Sequence, residues 1–444
     1  MKGFSIFAKT VLLFLSVYGV IVILTGVVLL QRVVQKAASK ELSLDQDCDS
    51  ASQAACNGSS THQSLIELKN HKLKSFSKVV QVIIHEIQSR KNCKESAVYH
   101  CTELRCGLGC TMHQIASCMM TSLSMNRSLV LAYNSRGSFG VFQSRRLHEN
   151  VFLPISPGCN FANEPDGIAV HRPPKYWEFN MTTFPSFVRE GINQLHPLPM
   201  SWWVGQVMTY LMRLQPDVEE DIIRKLELGK PYVGLHIRRS DKLLHEAGLH
   251  DVDGYMAVVE RWFEKYETLH TRAYDRRRRA YLATDDLSVL REIIERYPDY
   301  EIVYNNESIT SAANTRERGN EASMKLVLAD IFALTRANYV VCTFSSNICR
   351  LVYELMQTIH GDATDFLFSL DRSYNFHKRT MPTFHRVVLQ HEPQQKFELE
   401  LAVGDNVLPI SKIWATNTWT GRNIRTGKTG TYPDYKVKVH SNVN

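Results

Sequence analysis

Across 444 residues the sequence shows no internal repeat and no cysteine pair at the two-residue spacing of zinc knuckles. Charge of one sign is also scarce, since 52 Lys and Arg against 45 Asp and Glu leave only +7. So mild an excess suits a pocket for an anionic ligand better than a nucleic-acid surface, where basic residues would cluster more heavily. The chain is not short of apolar residues, at 44% with 22% charged, which excludes wholesale disorder, collagen and coiled-coil rods. Its length calls for about two or three domains.

The apolar material includes one uncharged run, Val11 to Leu30, which as a helix spans about 30 Å, the thickness of a bilayer core. Cleavable signal peptides have apolar regions of about 7–15 residues, so this run reads as an uncleaved anchor despite the small residues Ala37-Ala38-Ser39. Lys2 and Lys9 precede it while Arg32, Lys36 and Lys40 follow, and the positive-inside rule does not choose an orientation. The ten cysteines and the glycosylation triplets at Asn57, Asn126, Asn180 and Asn306 all lie beyond the run. They make sense if the C-terminal body is luminal. The expected organisation is a cytosolic tail at 1–10, a transmembrane anchor at 11–30, and a stem with an amphipathic helix over 31–92. Within that stretch Leu65, Leu68, Leu73, Phe76, Val79, Val80, Ile83, Ile84 and Ile87 recur at helical spacing and predict a helix docked on the body.

Cys93, Cys101, Cys106, Cys110, Cys118 and Cys159 open a part expected over 93–228, and in a lumen they read as a disulfide framework rather than a zinc site. Cys342 and Cys349 form a separate local pair. His171 to Lys175, with Pro173 and Pro174, reads as an extended loop. From 229 to 375 strands alternate with helices. Strands are expected at 232–237, 280–284, 301–304 and 339–342, with helices near 255–269, up to 297, at 321–336 and at 348–359. This α/β pattern predicts a Rossmann-type parallel sheet whose ligand lies at the C-terminal strand ends. Over 379–440 short strand-like runs at 400–410 and 430–437, with Trp419 before Gly421, resemble an SH3 barrel.

The chemistry should therefore follow the strands. His236-Ile237-Arg238-Arg239-Ser240-Asp241-Lys242 crowds basic groups at one strand end, where two arginines can grip a diphosphate bidentately. Other strand and loop ends supply Asp285-Asp286, Arg318, Asp330 and Ser345-Ser346, among which a carboxylate could accept from the ring N–H groups of guanine. Asp285 could equally cap the following helix. Four tempting motifs fail. His245 and His250 are five apart, which turns them off one helix face. Asp251-Val252-Asp253 lacks a preceding strand and reads as a helix cap. Cys106-Gly107-Leu108-Gly109-Cys110 lacks the phosphate-loop lysine, and Arg276 to Arg279 reads as a solvated loop.

Residues 236–242, 281–286 and 341–350, together with Tyr353 to His360 and the terminal block, resemble the α1,6-fucosyltransferase family of N-glycan core fucosylation from about Cys93 onward. The resemblance implies a GT-B-like fold and a Golgi type II membrane enzyme. It implies transfer of fucose, with inversion and without a metal or other cofactor, from GDP-fucose to O6 of the innermost GlcNAc on N-glycosylated proteins. Nucleic acid is not an expected partner. On the implied site Glu246 is the general base with Lys242 beside it. The implied donor contacts are His236, Arg238, Arg239, Asp241, Tyr255, Asp285, Asp286, Arg318, Asp330, Ser345 and Ser346. Asp371 is implied as an acceptor contact, and the implied disulfides are 93–159, 101–118, 106–110 and 342–349. The sequence departs from the family in its short stem, which leaves a homodimer open. It also departs at Ser240 for Thr, at Arg372 where a second acid is expected, and at Thr418 for a His.

Overall fold

The structure, a computed structural model, describes residues 58–91, 93, 98–102, 106–133, 141–142, 144–159, 170–173, 184–192, 195–224, 226, 228–229, 231–239, 250–270, 277–314, 319–374, 383–413 and 418–441. The run 11–30 lies outside them, and among the described residues no helix is long and apolar enough to cross a membrane.

The chain opens with helix α1 (Gly58–Gln88), whose buried stripe of Leu73, Phe76, Val80, Ile84 and Ile87 joins the main core. Leu68 and Val79 belong to the same periodic pattern but stand exposed. A stripe drawn at mixed spacings is wider than the surface one helix can bury. Phe76 stacks on the buried ring of Trp202 with centroids 5.1 Å apart, so this helix is part of the body.

The first layered region contains β1 (Val98–Cys101), α2 (Leu108–Ser124), β2 (Ser128–Leu131), α3 (Arg145–Val151), β3 (Val170–His171) and α4 (Ser186–Ile192). It continues with α5 (Pro199–Leu211) and α6 (Pro216–Arg224). Its sheet is parallel, in the order β2-β1-β3. The start of the expected loop at His171 is therefore the end of a short strand, held by pairing of Cys101 with His171. Cys101–Cys118 ties β1 to α2, Cys106–Cys110 straddles the start of α2, and Cys93–Cys159 closes the region.

The second region runs β4 (Val233–Ile237), α7 (Val252–Leu269), β5 (Arg279–Thr284), α8 (Leu287–Arg296), β6 (Glu301–Tyr304), α9 (Asn306–Ala313), α10 (Glu321–Thr335), β7 (Tyr339–Cys342), α11 (Asn347–His360) and β8 (Leu367–Ser369). All strand pairs are parallel, in the order β6-β5-β4-β7-β8. The chain moves outward from β4 to β6 and then returns to β7, so the switch point lies between β4 and β7. Strand alternation divides the core. Val233, Leu235, Ile237, Ala280, Leu282 and Val341 face α7 and α8. Tyr281, Ala283, Val340 and Cys342 face α10, α11 and the first region. Helix α11 is buried along nearly its whole length and packs hard on α5. A Cβ on Gly205 would stand 2.3 Å from the Glu354 carbonyl oxygen, so only glycine permits that approach.

The tail forms β9 (Thr383–Val387), β10 (Asn406–Ile413), β11 (Thr418–Asn423), β12 (Thr429–Pro433) and β13 (Val437–Ser441), an antiparallel sheet in the order β12-β11-β10-β9-β13. Its separate small core is Val387, Leu399, Leu401, Val407 and Tyr432. The strand expected from 400 begins only at Asn406, because Ala402 and Asp405 close a turn first. The run at 430–437 is broken by a 3-10 turn at Asp434–Lys436.

Candidate active site

At the C-terminal end of β4 the pleat sends successive side chains to opposite faces. His236 and Arg238 lie on the side of α10, where both line a cavity of about 350 Å3. Arg239 falls on the other side, where its Nη1 donates to Glu292 Oε2 on α8 at 3.1 Å. The two arginines expected to act together are thus divided by the alternation of the strand that carries them. Asp285, after β5, fixes the corner, since its Oδ1 accepts the Arg239 backbone N–H at 2.9 Å and its Oδ2 stands 3.7 Å from Arg238 Nε. Asp285 does not cap α8. That role falls to Asp286, whose Oδ1 accepts from the Ser288 N–H at 2.8 Å.

The cavity sits at the switch point. Besides His236, Arg238 and Asp285 it is lined by Asp330 and Ser346, so five of the expected donor residues meet there. Two helix starts also reach it, Cys106 to Cys110 at α2 and Ser346 to Ile348 at α11. Neither helix has a side-chain cap on its first turn. Uncapped first turns present N–H groups and the positive end of the helix dipole, which suits an anion. Ser346 is 1% exposed, and its Oγ finds no hydrogen-bond partner among the described residues. A Cβ on Gly109 would come within 2.8 Å of Asn347 Cβ, so glycine there brings the two helix starts together. The 106–110 segment has no phosphate-loop lysine, yet it is a wall of the cavity.

Toward α9 and α10 the cavity is bounded by Ser308, Ser311, Gly319, Met324 and Asp330. Asp330 accepts from Tyr281 Oη at 2.6 Å and from Ser308 Oγ at 2.5 Å. Burial raises its carboxyl from 3.8 to about 6, against these two hydrogen bonds, which favour the ionised form. Burial beside Asp330 also pushes the Tyr281 phenol up, so the tyrosine stays a donor. A carboxylate offers about four acceptor sites, which leaves roughly two for a ligand. The triplet at Asn306 gains a second meaning here, since its Ser308 is the hydroxyl that holds Asp330.

Other expected residues stand outside the cavity. Tyr255 is buried on α7 and shares a hydrogen bond with Thr343. Asp371 accepts the Ser345 backbone N–H at 3.1 Å and the Ser369 hydroxyl at 2.9 Å, with Arg372 Nε 3.6 Å away. Its carboxylate thus braces the turn that presents Ser346. Asp251 caps α7 as expected, through the Gly254 N–H at 2.9 Å. The basic run is not a solvated loop at its end: Arg278 forms a forked pair with Glu267, and Arg279 begins β5. Asp241, Lys242, Glu246, Arg318, Asn57 and Asn180 lie outside the described residues. Asn126 and Asn306 are exposed. All four implied disulfides form, Cys342–Cys349 linking β7 to the first turn of α11. Among the described residues no three His, Cys, Asp or Glu side chains are grouped to hold a metal ion.

Comparison with known proteins adds independent findings. The family model described as alpha-(1,6)-fucosyltransferase N- and catalytic domains matches residues 28–375. An alpha-(1,6)-fucosyltransferase of Drosophila melanogaster is 32% identical over 401 residues, covering 83% of this chain and 61% of that protein. One of Caenorhabditis elegans is 33% identical over 379 residues, covering 80% and 66%. The chain therefore spans less than two thirds of the length of these two relatives. A crystal structure of NodZ alpha-1,6-fucosyltransferase soaked with GDP-fucose covers 58% of this chain and 92% of its own, at 17% identity and a TM-score of 0.33, too loose a likeness to bear on the site.

Proposed function

The chain belongs to the alpha-(1,6)-fucosyltransferase family, and from that premise we propose that it transfers L-fucose from GDP-fucose to O6 of the innermost Asn-linked GlcNAc of N-glycans. The observation that carries this reading is the cavity itself. Arg238, buried Ser346 and two uncapped helix starts stand at one end, and the buried carboxyl of Asp330 stands at another. That arrangement suits a nucleoside diphosphate, with the diphosphate on the cationic end and the N–H groups of guanine on Asp330.

In the reaction the acceptor O6 attacks C1 of fucose, the bond from C1 to the β-phosphate oxygen breaks with inversion, and GDP leaves. Arg238 and the helix starts stabilise the charge that grows on the leaving diphosphate, so that no metal is needed for that step. The family resemblance assigns Glu246 to take the acceptor proton, with Lys242 beside it, and places Asp241 and Arg318 at the donor. Asp285 holds the strand end in shape, and His236 lines the cavity as a donor contact. Asp371, both of whose oxygens are engaged by neighbouring groups, supports the Ser345-Ser346 turn.

The wider reading is a GT-B-like pair of α/β regions followed by an SH3-like barrel. The 11–30 run anchors the protein in the Golgi membrane with its body luminal. The test is direct. The full chain is incubated with GDP-fucose, EDTA and a GlcNAc-terminated biantennary N-glycan, and mass spectrometry locates any added deoxyhexose. Addition on the innermost GlcNAc supports core transfer without a metal. GDP binding without that addition points to another acceptor, with Arg372 and Thr418 as the residues to revert first.

A further inference from the structure

The two helix starts at the cavity are joined behind it by a buried polar chain. His113, one turn into α2, places Nδ1 2.5 Å from the Gly109 carbonyl oxygen and Nε2 3.1 Å from Glu354 Oε1 on α11. Tyr374, beyond β8, donates its hydroxyl to the same Oε1 at 2.7 Å. Glu354 is fully buried, His113 is 8% exposed, and none of the three residues lines the cavity. A ring nitrogen that faces a carbonyl must carry a hydrogen, so Nδ1 is a donor and Nε2 meets the Glu354 carboxyl. Arg350, a turn earlier on α11, adds positive charge near that carboxyl.

Buried ionisable pairs stabilise folds poorly, because the loss of hydration offsets their attraction. Apolar side chains would fill the same space beside Phe344 and Tyr353, whose rings pack on Tyr374, without that cost. What the polar chain supplies is a fixed distance. It holds the carbonyl of Gly109, where a Cβ would stand 2.8 Å from Asn347 Cβ, against the second turn of α11. We propose that His113 and Glu354 are positioning residues, which set the spacing of the α2 and α11 starts so that both converge on the donor diphosphate. This rests on the reading of the cavity as the GDP-fucose site.

Full-length wild type, His113→Gln, Glu354→Gln and the double variant are titrated with GDP by calorimetry and assayed for donor and acceptor KM. Each single variant should weaken GDP binding and raise the donor KM about tenfold, as small displacements of binding groups do. The double variant should lose no more than the weaker-binding single variant, kcat should fall along with donor affinity because the same helix starts stabilise the leaving diphosphate, and acceptor KM should stay within about twofold. Gly109→Ala, whose Cβ pushes the same turns apart against Asn347 while the His113 and Glu354 side chains are kept, should weaken GDP binding in the same way and covers the case in which a His113 variant does not fold. Additive losses in the double variant, or unchanged GDP binding in the single variants or in Gly109→Ala, overturn the proposal. A wild-type protein that does not bind GDP overturns the donor-site reading and this proposal together.

Discussion

The two sides of one strand end do different work, although the sequence writes them with the same residues. On the α10 side, Arg238, Ser346 and the starts of α2 and α11 meet around open space. On the α8 side, Arg239 pairs with Glu292, which also pairs with Arg296, which in turn pairs with Asp253. Charge paired with carboxylates away from the cavity organises a surface, whereas Arg238, paired with Asp285 on the cavity wall, presents its charge to a ligand. Position on the pleat, not residue type, separates the two roles.

Substitutions on the cavity side should carry the largest effects. Arg238→Ala should lower kcat/KM about a thousandfold, the order lost when one preorganised charge donor is removed from a transition state. Steady-state transfer assays check this, and a loss below tenfold would move the diphosphate elsewhere. Asp330→Asn comes next, with GDP affinity expected to drop about a hundredfold, as when a buried polar group meets a mismatched partner.

The same residue sets a pH dependence. Guanine N–H groups need the ionised carboxyl, so GDP affinity should be full above about 6 and fall as pH drops below it, by up to about tenfold per unit. The Asp330→Asn profile should be flat. Stability without ligand runs the other way, because a folded value raised from 3.8 to about 6 favours the folded state at low pH and loses that contribution as pH rises through 6. A ligand-free protein that gains stability from this residue across that window would contradict the assignment.

The α8 side should yield smaller changes. Arg239→Ala should leave GDP affinity within about tenfold, since the backbone N–H of residue 239, which Asp285 holds, survives the substitution. Asp286→Ala removes the α8 cap and should cost about 1 kcal/mol of stability, read as a lowered Tm, with GDP binding intact.

Much of this was legible in the sequence because buried parallel strands and amphipathic helices announce themselves. β6 and β7 fall where the alternation puts them, and α7, α8, α10 and α11 lie within a few residues of their expected bounds. The first region was harder to read. β1 and β2 are four residues each, and α5 is buried on nearly every side, so neither shows a usable period. Helix α9 is short and polar and carried no apolar pattern. In the site, Ser346 and Arg238 followed from strand ends, whereas Asp330, expected at a strand or loop end, lies inside α10 and reaches the cavity from that helix. The splitting of Arg239 from Arg238 required the alternation to be carried two residues past Ile237. The wall at Cys106–Cys110 has no motif, because a helix start binds anions through its backbone whatever its side chains are.

A crystal structure with GDP bound would test the central claim most directly. It should place the phosphate oxygens about 3 Å from the Arg238 guanidinium and the first-turn amides of α11, with the base on Asp330. Phosphates resting instead against Arg239 and Glu292, or a base turned away from Asp330, would contradict it.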